Sequence, residues 1–182
     1  LVLSSSQDHL HKNYYLARNT TDTGEWAILP WDTDLTWGRN WLDGTGYFTD
    51  ILYTTNSLDF YTPQQNKGSN RFYDFFFESP EVRGMYLRRI RTCMDQVLQP
   101  SGTPYADRYL ERRFDELANL FDPPGSGTSS DQHLDYVKWG TWGTNNVEAR
   151  AEIERTMSVY LNGRRAHLEG AAPTVRGTPI PP

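Results

Sequence analysis

The chain has 182 residues, of which 37% are hydrophobic and 14% aromatic, and this is enough apolar material for one domain with a core. A formal net charge of −5 and a pI near 5.3 argue against a nucleic-acid partner, because phosphate backbones are bound by basic surfaces. The single cysteine, Cys93, excludes an internal disulfide, and no apolar run approaches the roughly 18 residues of a membrane span.

A β-hairpin is predicted near the N-terminus. Residues 14–18 and 25–29 are rich in strand formers, and the Asn, Thr, Asp and Gly residues between them have turn composition. Pro30 should end the second strand because it has no N–H to donate. Residues 38–65 show no sustained period, so we expect irregular structure there. We also expect the protein to continue upstream of Leu1, since residues 1–3 look like the end of an apolar element.

Helices are predicted over most of the remaining chain. Ser79 followed by Pro80 is a helix start signal, and apolar residues then recur at helical spacing. Residues 171–182 have three prolines near their end and no apolar period, so we expect an extended tail or linker after a domain at 1–170. The predicted helices cover 79 to about 100, 103 to about 123, 131–139 and about 147–168.

Candidate chemistry is concentrated around the hairpin. Asp8 is followed by Asn13 five positions later, then by the hairpin, and then by Asp32 and Asp34. In protein kinases a catalytic-loop Asp orients the acceptor hydroxyl, an Asn five residues on binds a metal ion, and an Asp after a hairpin holds Mg²⁺. Oxygen ligands of this kind suit Mg²⁺ or Mn²⁺, and not zinc.

Structural roles for the same residues remain open at this point. Asp8 and Asn13 are common loop residues that bond to their own backbone, and one of the two later aspartates could cap a turn. However, Asp32 and Asp34 alternate in what should be extended chain, so their carboxylates would repel each other unless a cation lay between them. Lys12 is a secondary candidate for neutralising a phosphoryl group, although surface lysines are far commoner.

A different class of function is indicated by four tryptophans in and after the hairpin. They could form a sugar-stacking platform in a carbohydrate-binding or adhesive surface module, although aromatic rings are more often used in cores. The four are Trp26, Trp31, Trp37 and Trp41.

Several sequence blocks resemble the CotH (spore coat protein H) kinase family. The resemblance extends over roughly residues 1–168. The blocks are DHLHKNYYL at 8–16, EWAILPWDTDLTWG at 25–38, NRFY at 70–73, SPEVRGMYLRRIR at 79–91 and GRR at 163–165.

This resemblance implies an α+β fold, in which an atypical kinase-like C-terminal lobe carries a small hairpin on a mainly helical bundle. It also implies transfer of phosphate from ATP to the Ser or Thr hydroxyl of a protein, with Mg²⁺ or Mn²⁺, outside the cell or on a spore or cell surface. Position by position, Asp8 matches the catalytic acid-base residue, Asn13 the catalytic-loop amide and Asp32 the metal-binding aspartate, with Asp34 as a second candidate ligand.

The family's nucleotide-binding lysine lies upstream of the matching blocks, in a lobe that the 182 residues do not include. We therefore expect these residues alone to be inactive. Some members of the family act as surface adhesins, which keeps the second class of function open.

Overall fold

The computed structural model describes residues 3–4, 13–33, 36–38, 71–140, 148–171 and 173–182. Within these ranges, α-helices predominate and two small antiparallel hairpins accompany them, which confirms the α+β class. The strands are β1 (Tyr14–Arg18), β2 (Trp26–Pro30), β3 (Thr174–Val175) and β4 (Thr178–Pro179). The α-helices are α1 (Arg71–Glu78), α2 (Pro80–Cys93), α3 (Tyr109–Phe121), α4 (Asp131–Trp139), α5 (Ala149–Arg155) and α6 (Asn162–Glu169).

The predicted N-terminal hairpin is present, with β2 shifted by one residue so that it includes Pro30. Strands β1 and β2 pair in the register Tyr14 with Pro30. Their turn is organised by Asn19, whose side-chain oxygen accepts the N–H groups of Thr21 and Asp22 at 3.2 and 3.1 Å. The local side-chain bonding of Asn therefore closes the turn as its composition predicted.

Helix α2 begins where the sequence predicted. The Ser79 hydroxyl accepts the Val82 N–H at 3.4 Å, and Pro80 occupies the first turn, where its missing N–H costs nothing. After Cys93 the helix continues as a π-helical turn over Met94–Leu98, ahead of Pro100.

Helix α3 begins later than predicted. Instead of starting after Thr103, the chain forms a 3₁₀ turn over Tyr105–Asp107 and becomes α-helical at Tyr109. The intervening Arg108 is extended, and its Nε donates to the Thr103 carbonyl at 2.9 Å. This hydrogen bond from the Arg108 side chain delays the start of the helix, and the amino-acid composition of the segment does not predict it. Helix α1 was also not predicted.

The core lies between α2, its π-helical extension and the last long helix. We call this last helix the closing helix; it consists of α5, a π-helical turn at Thr156–Leu161 and α6. The buried apolar cluster is formed by Phe77, Leu87, Ile90, Met94, Leu98, Tyr160, Leu161, Leu168 and Val175. No helix in the described ranges is long and apolar enough to cross a bilayer.

The C-terminal residues differ from the extended tail that we expected. Strands β3 and β4 pair through the two-residue turn Arg176–Gly177, in which both residues have positive φ, at 48° and 76°. Val175 is completely buried in the core, and Arg83 donates to the Thr178 hydroxyl oxygen at 3.1 Å. A single valine did not indicate that these residues form a hairpin packed against the core. The three prolines near the end of the chain favoured a linker. The proposed domain boundary at residue 170 stays a prediction.

Candidate functional site

The base of the β1–β2 hairpin carries two of the predicted oxygen ligands. Asn13 directly precedes β1, and Asp32 follows two residues after β2. The Trp31 N–H donates to the Asn13 carbonyl at 2.8 Å, which extends the pairing of the strands by one position. Asn13 therefore lies opposite Trp31, and Asp32 is the next residue along the chain. The hairpin brings together two residues that are 19 positions apart in the sequence.

Both residues adopt an unusual backbone conformation. Asn13 has φ 64° and Asp32 has φ 52°, in the left-handed region that most non-glycine residues avoid. Asn and Asp enter this region more readily than other residues because their short polar side chains can bond locally. Backbone conformations of this kind are concentrated at ligand sites and switch regions, so they favour a functional hypothesis here.

The side-chain chemistry at the hairpin base suits a hard divalent cation. Asn13 offers an amide oxygen, and Asp32 offers an exposed carboxylate. In the described ranges no group of three or more His, Cys, Asp or Glu side chains is placed to hold a metal ion. Two protein oxygens suit Mg²⁺, which commonly keeps several waters and takes further ligands from a nucleotide's phosphates.

Three of the predicted site residues lie outside the described ranges: Asp8, Lys12 and Asp34. The expected convergence of Asp8 with Asn13 and Asp32 therefore stays a prediction, and so does the choice between Asp32 and Asp34 as the main metal ligand.

Where the structure describes them, at Trp26, Trp31 and Trp37, the tryptophans do not form one flat platform. Trp31 is 61% exposed, but its ring meets the Tyr15 ring edge-on, at an interplanar angle of 72°. Trp26 is 67% exposed and has the Arg18 guanidinium over its ring. Trp37 instead packs against the core, while Trp41 lies outside the described ranges.

The closing helix contacts both ends of the segment that contains the hairpin. The Tyr160 hydroxyl donates to the Leu3 carbonyl at 2.9 Å, and the Arg155 guanidinium donates to the Trp37 carbonyl at 2.9 Å. We did not predict either contact. Nothing in the sequence distinguishes Tyr160 from an ordinary core residue or Arg155 from a surface arginine.

Buried charges lie in the helical body behind the hairpin. Arg165 and Glu111 are each 1% exposed, and they form an ion pair at 2.5 Å. Arg164 is fully buried, and desolvation lowers the pKa of its guanidinium, while the neighbouring Tyr160 and Tyr86 act in the opposite direction. The position of Glu111 in the sequence could have indicated a buried ion pair, because Glu111 lies on the same helical face as Phe114 and Ala118.

Taken together, the described residues form an α+β domain in which a small hairpin brings Asn13 and Asp32 near each other at its base. The sequence profile of the CotH kinase protein family matches residues 2–152, which is most of the chain. The chain therefore belongs to this family, which confirms the resemblance of the sequence blocks between residues 8 and 91. The GRR block at 163–165 lies beyond the matched residues. Searches of curated proteins and of solved structures found no match.

Proposed function

We propose that the protein is a metal-dependent phosphotransferase that moves the γ-phosphate of ATP to a Ser or Thr hydroxyl of a protein. Membership of the CotH kinase protein family supports this class of reaction. The observation that carries the proposal is the hairpin base, where Asn13 and Asp32 are brought together with both backbones in the left-handed region. A kinase-like lobe and a location outside the cell, or on a spore or cell surface, belong to the same proposal and are supported by the family resemblance.

Each candidate residue has a separate role in the proposed transfer. Asp8 would orient the acceptor hydroxyl and accept its proton while the bond between that oxygen and the γ-phosphorus forms. The bond from the γ-phosphorus to the bridging oxygen breaks, and ADP leaves. The Asn13 amide and the Asp32 carboxylate, with Asp34 as a further candidate, would hold Mg²⁺ or Mn²⁺, which neutralises phosphate charge when bound. Lys12 is a secondary candidate for contacting the transferred group.

Asp32→Asn should weaken metal-dependent nucleotide binding. The change keeps the size of the side chain but removes the charge of the ligand, so we expect the gain in ATP affinity on adding Mg²⁺ to fall by on the order of tenfold. The measurement is isothermal titration of ATP with and without Mg²⁺, on the complete protein including any residues upstream of Leu1.

Asp22→Asn is the matched control for this experiment. Asp22 is exposed in the turn at the opposite end of the same hairpin, so its change alters the net charge equally without touching the hairpin base. An unchanged Mg²⁺ effect in Asp32→Asn, or an equal loss in Asp22→Asn, would contradict a metal site at the hairpin base.

The exposed Trp31 ring favours one alternative, an adhesin or carbohydrate-binding module. Aromatic faces that remain in solvent can stack on sugars, although the edge-on contact with Tyr15 leaves no flat pair of rings. Glycan-array binding that is lost in Trp31→Ala and kept in Asp8→Asn would support this alternative over phosphate transfer.

A further inference from the structure

The hairpin has little core of its own. Every residue of β2 is exposed, and β1 is half-buried only at Tyr14 and Ala17. Of these strand residues, Tyr14 is the one that packs against the apolar cluster. A two-stranded hairpin is marginally stable by itself. Its orientation must therefore depend on how its base is attached to the helical body.

The two ends of the segment containing the hairpin meet and are fastened to the closing helix. The Trp37 N–H donates to the Ser4 carbonyl at 2.7 Å, so residues 4–37 start and finish at one place. The Tyr160 hydroxyl bonds the Leu3 carbonyl beside the first end, at 2.9 Å. The Arg155 guanidinium bonds the Trp37 carbonyl at the second end, also at 2.9 Å.

Trp37 is held in a conformation that needs support. Its φ of 59° is unusual for a bulky side chain and is kept only when the surroundings determine it. Its ring meets Phe114 and Tyr160 edge-on, with centroids 5.2 and 5.9 Å away. Thr36 and Gly38 on either side are buried. This end of the segment is thus fixed by packing as well as by hydrogen bonds.

The π-helical turn explains how one helix reaches both ends. Arg155 and Tyr160 are five residues apart, and in a regular α-helix they would lie about 140° apart around the axis. The turn at Thr156–Leu161 is π-helical, so its hydrogen bonds run from residue i to residue i+5. This wider turn brings the two side chains closer to the same side of the helix.

We propose that Arg155 and Tyr160 are positioning residues, which fix both ends of the segment on the closing helix and so orient the hairpin base with Asn13 and Asp32. Neither side chain needs to touch a ligand. The expected effect on ATP binding rests on the proposed phosphotransferase activity. The attachment of the segment to the closing helix does not depend on that activity.

The test uses Tyr160→Phe and Arg155→Gln in the complete protein. Tyr160→Phe keeps the ring against Trp37 and removes only the hydroxyl. We expect the amide hydrogens of Trp31 and Trp37 to exchange about tenfold faster in each variant, while amides in the middle of α2 and α3 keep their wild-type rates. Magnesium-dependent ATP affinity should fall by about fivefold, because each variant loses one hydrogen bond that holds the segment. Arg155→Lys keeps a cationic donor, so its exchange rates and its ATP affinity should lie between those of Arg155→Gln and the wild type.

Tyr109→Phe and Arg112→Gln are the matched controls, because both residues are exposed on α3 and should leave all of these values unchanged. Uniformly faster exchange throughout the domain, or unchanged exchange at Trp31 and Trp37, would overturn the proposal. Faster exchange at these two amides in a protein that never binds ATP would uphold the positioning role and reject the proposed function. Weaker ATP binding without any change in hairpin exchange would reject the positioning role alone.

Discussion

Asp8→Asn is expected to reduce phosphate transfer by about 10³-fold while leaving ATP affinity nearly unchanged. The reason is that Asp8 would face the acceptor hydroxyl, whereas the nucleotide would be held through the metal ion. An asparagine has the same shape but cannot accept the proton. Transfer should be measured as labelled γ-phosphate incorporated into the protein itself and into casein, and ATP affinity by calorimetry.

Asp135→Asn is a suitable control for that experiment, because Asp135 is exposed on α4 and the change removes the same charge. Transfer at the wild-type rate in Asp8→Asn would show that the catalytic assignment is wrong. Parallel loss of transfer and of ATP binding would place Asp8 in nucleotide binding instead.

The second large effect is expected on stability. Arg165→Met should lower the free energy of unfolding by about 3–5 kcal/mol, because it leaves the Glu111 carboxylate buried without its close partner. Among the described residues, Arg108 also lies close to Glu111, at 3.4 Å. Arg165 also donates to the carbonyls of Leu98 and Gln99 at 2.8–3.0 Å, and these bonds would be lost as well. Urea unfolding followed by circular dichroism measures the change.

Arg113→Met provides the comparison on α3 itself. Arg113 forms an ion pair with Glu116 at 2.8 Å, but both side chains are more than half exposed, so its loss should cost less than about 1 kcal/mol. Similar destabilisation by Arg165→Met and Arg113→Met would mean that the buried pair does not hold the helices together.

Local chemistry predicted the parts of the fold that depend on neighbouring residues. The hairpin followed from strand formers around a turn-forming Asn19, and the start of α2 followed from Ser79 and Pro80. Contacts between distant residues were not accessible in the same way. Val175 enters the core through a two-residue turn, and the Arg165–Glu111 pair joins residues 54 positions apart.

The candidate site shows the same division. The order of Asp8, Asn13, the hairpin and Asp32 indicated a shared location, and the hairpin places Asn13 beside the chain at Asp32. The positive φ angles at both residues were not predicted, nor was the attachment of the segment by Arg155 and Tyr160. An arginine or a tyrosine on an amphipathic helix has the same pattern whether it bonds a distant carbonyl or faces solvent.

The most direct test of the site is a crystal structure of the complete protein with ATP and Mn²⁺, using the anomalous signal of manganese to locate the ion. We predict an Mn²⁺ ion within about 2.5 Å of the Asn13 amide oxygen and an Asp32 carboxylate oxygen, with phosphate oxygens and waters as the other ligands. An Mn²⁺–ATP complex bound away from both residues, with the Asp32 side chain directed into solvent, would contradict the assignment.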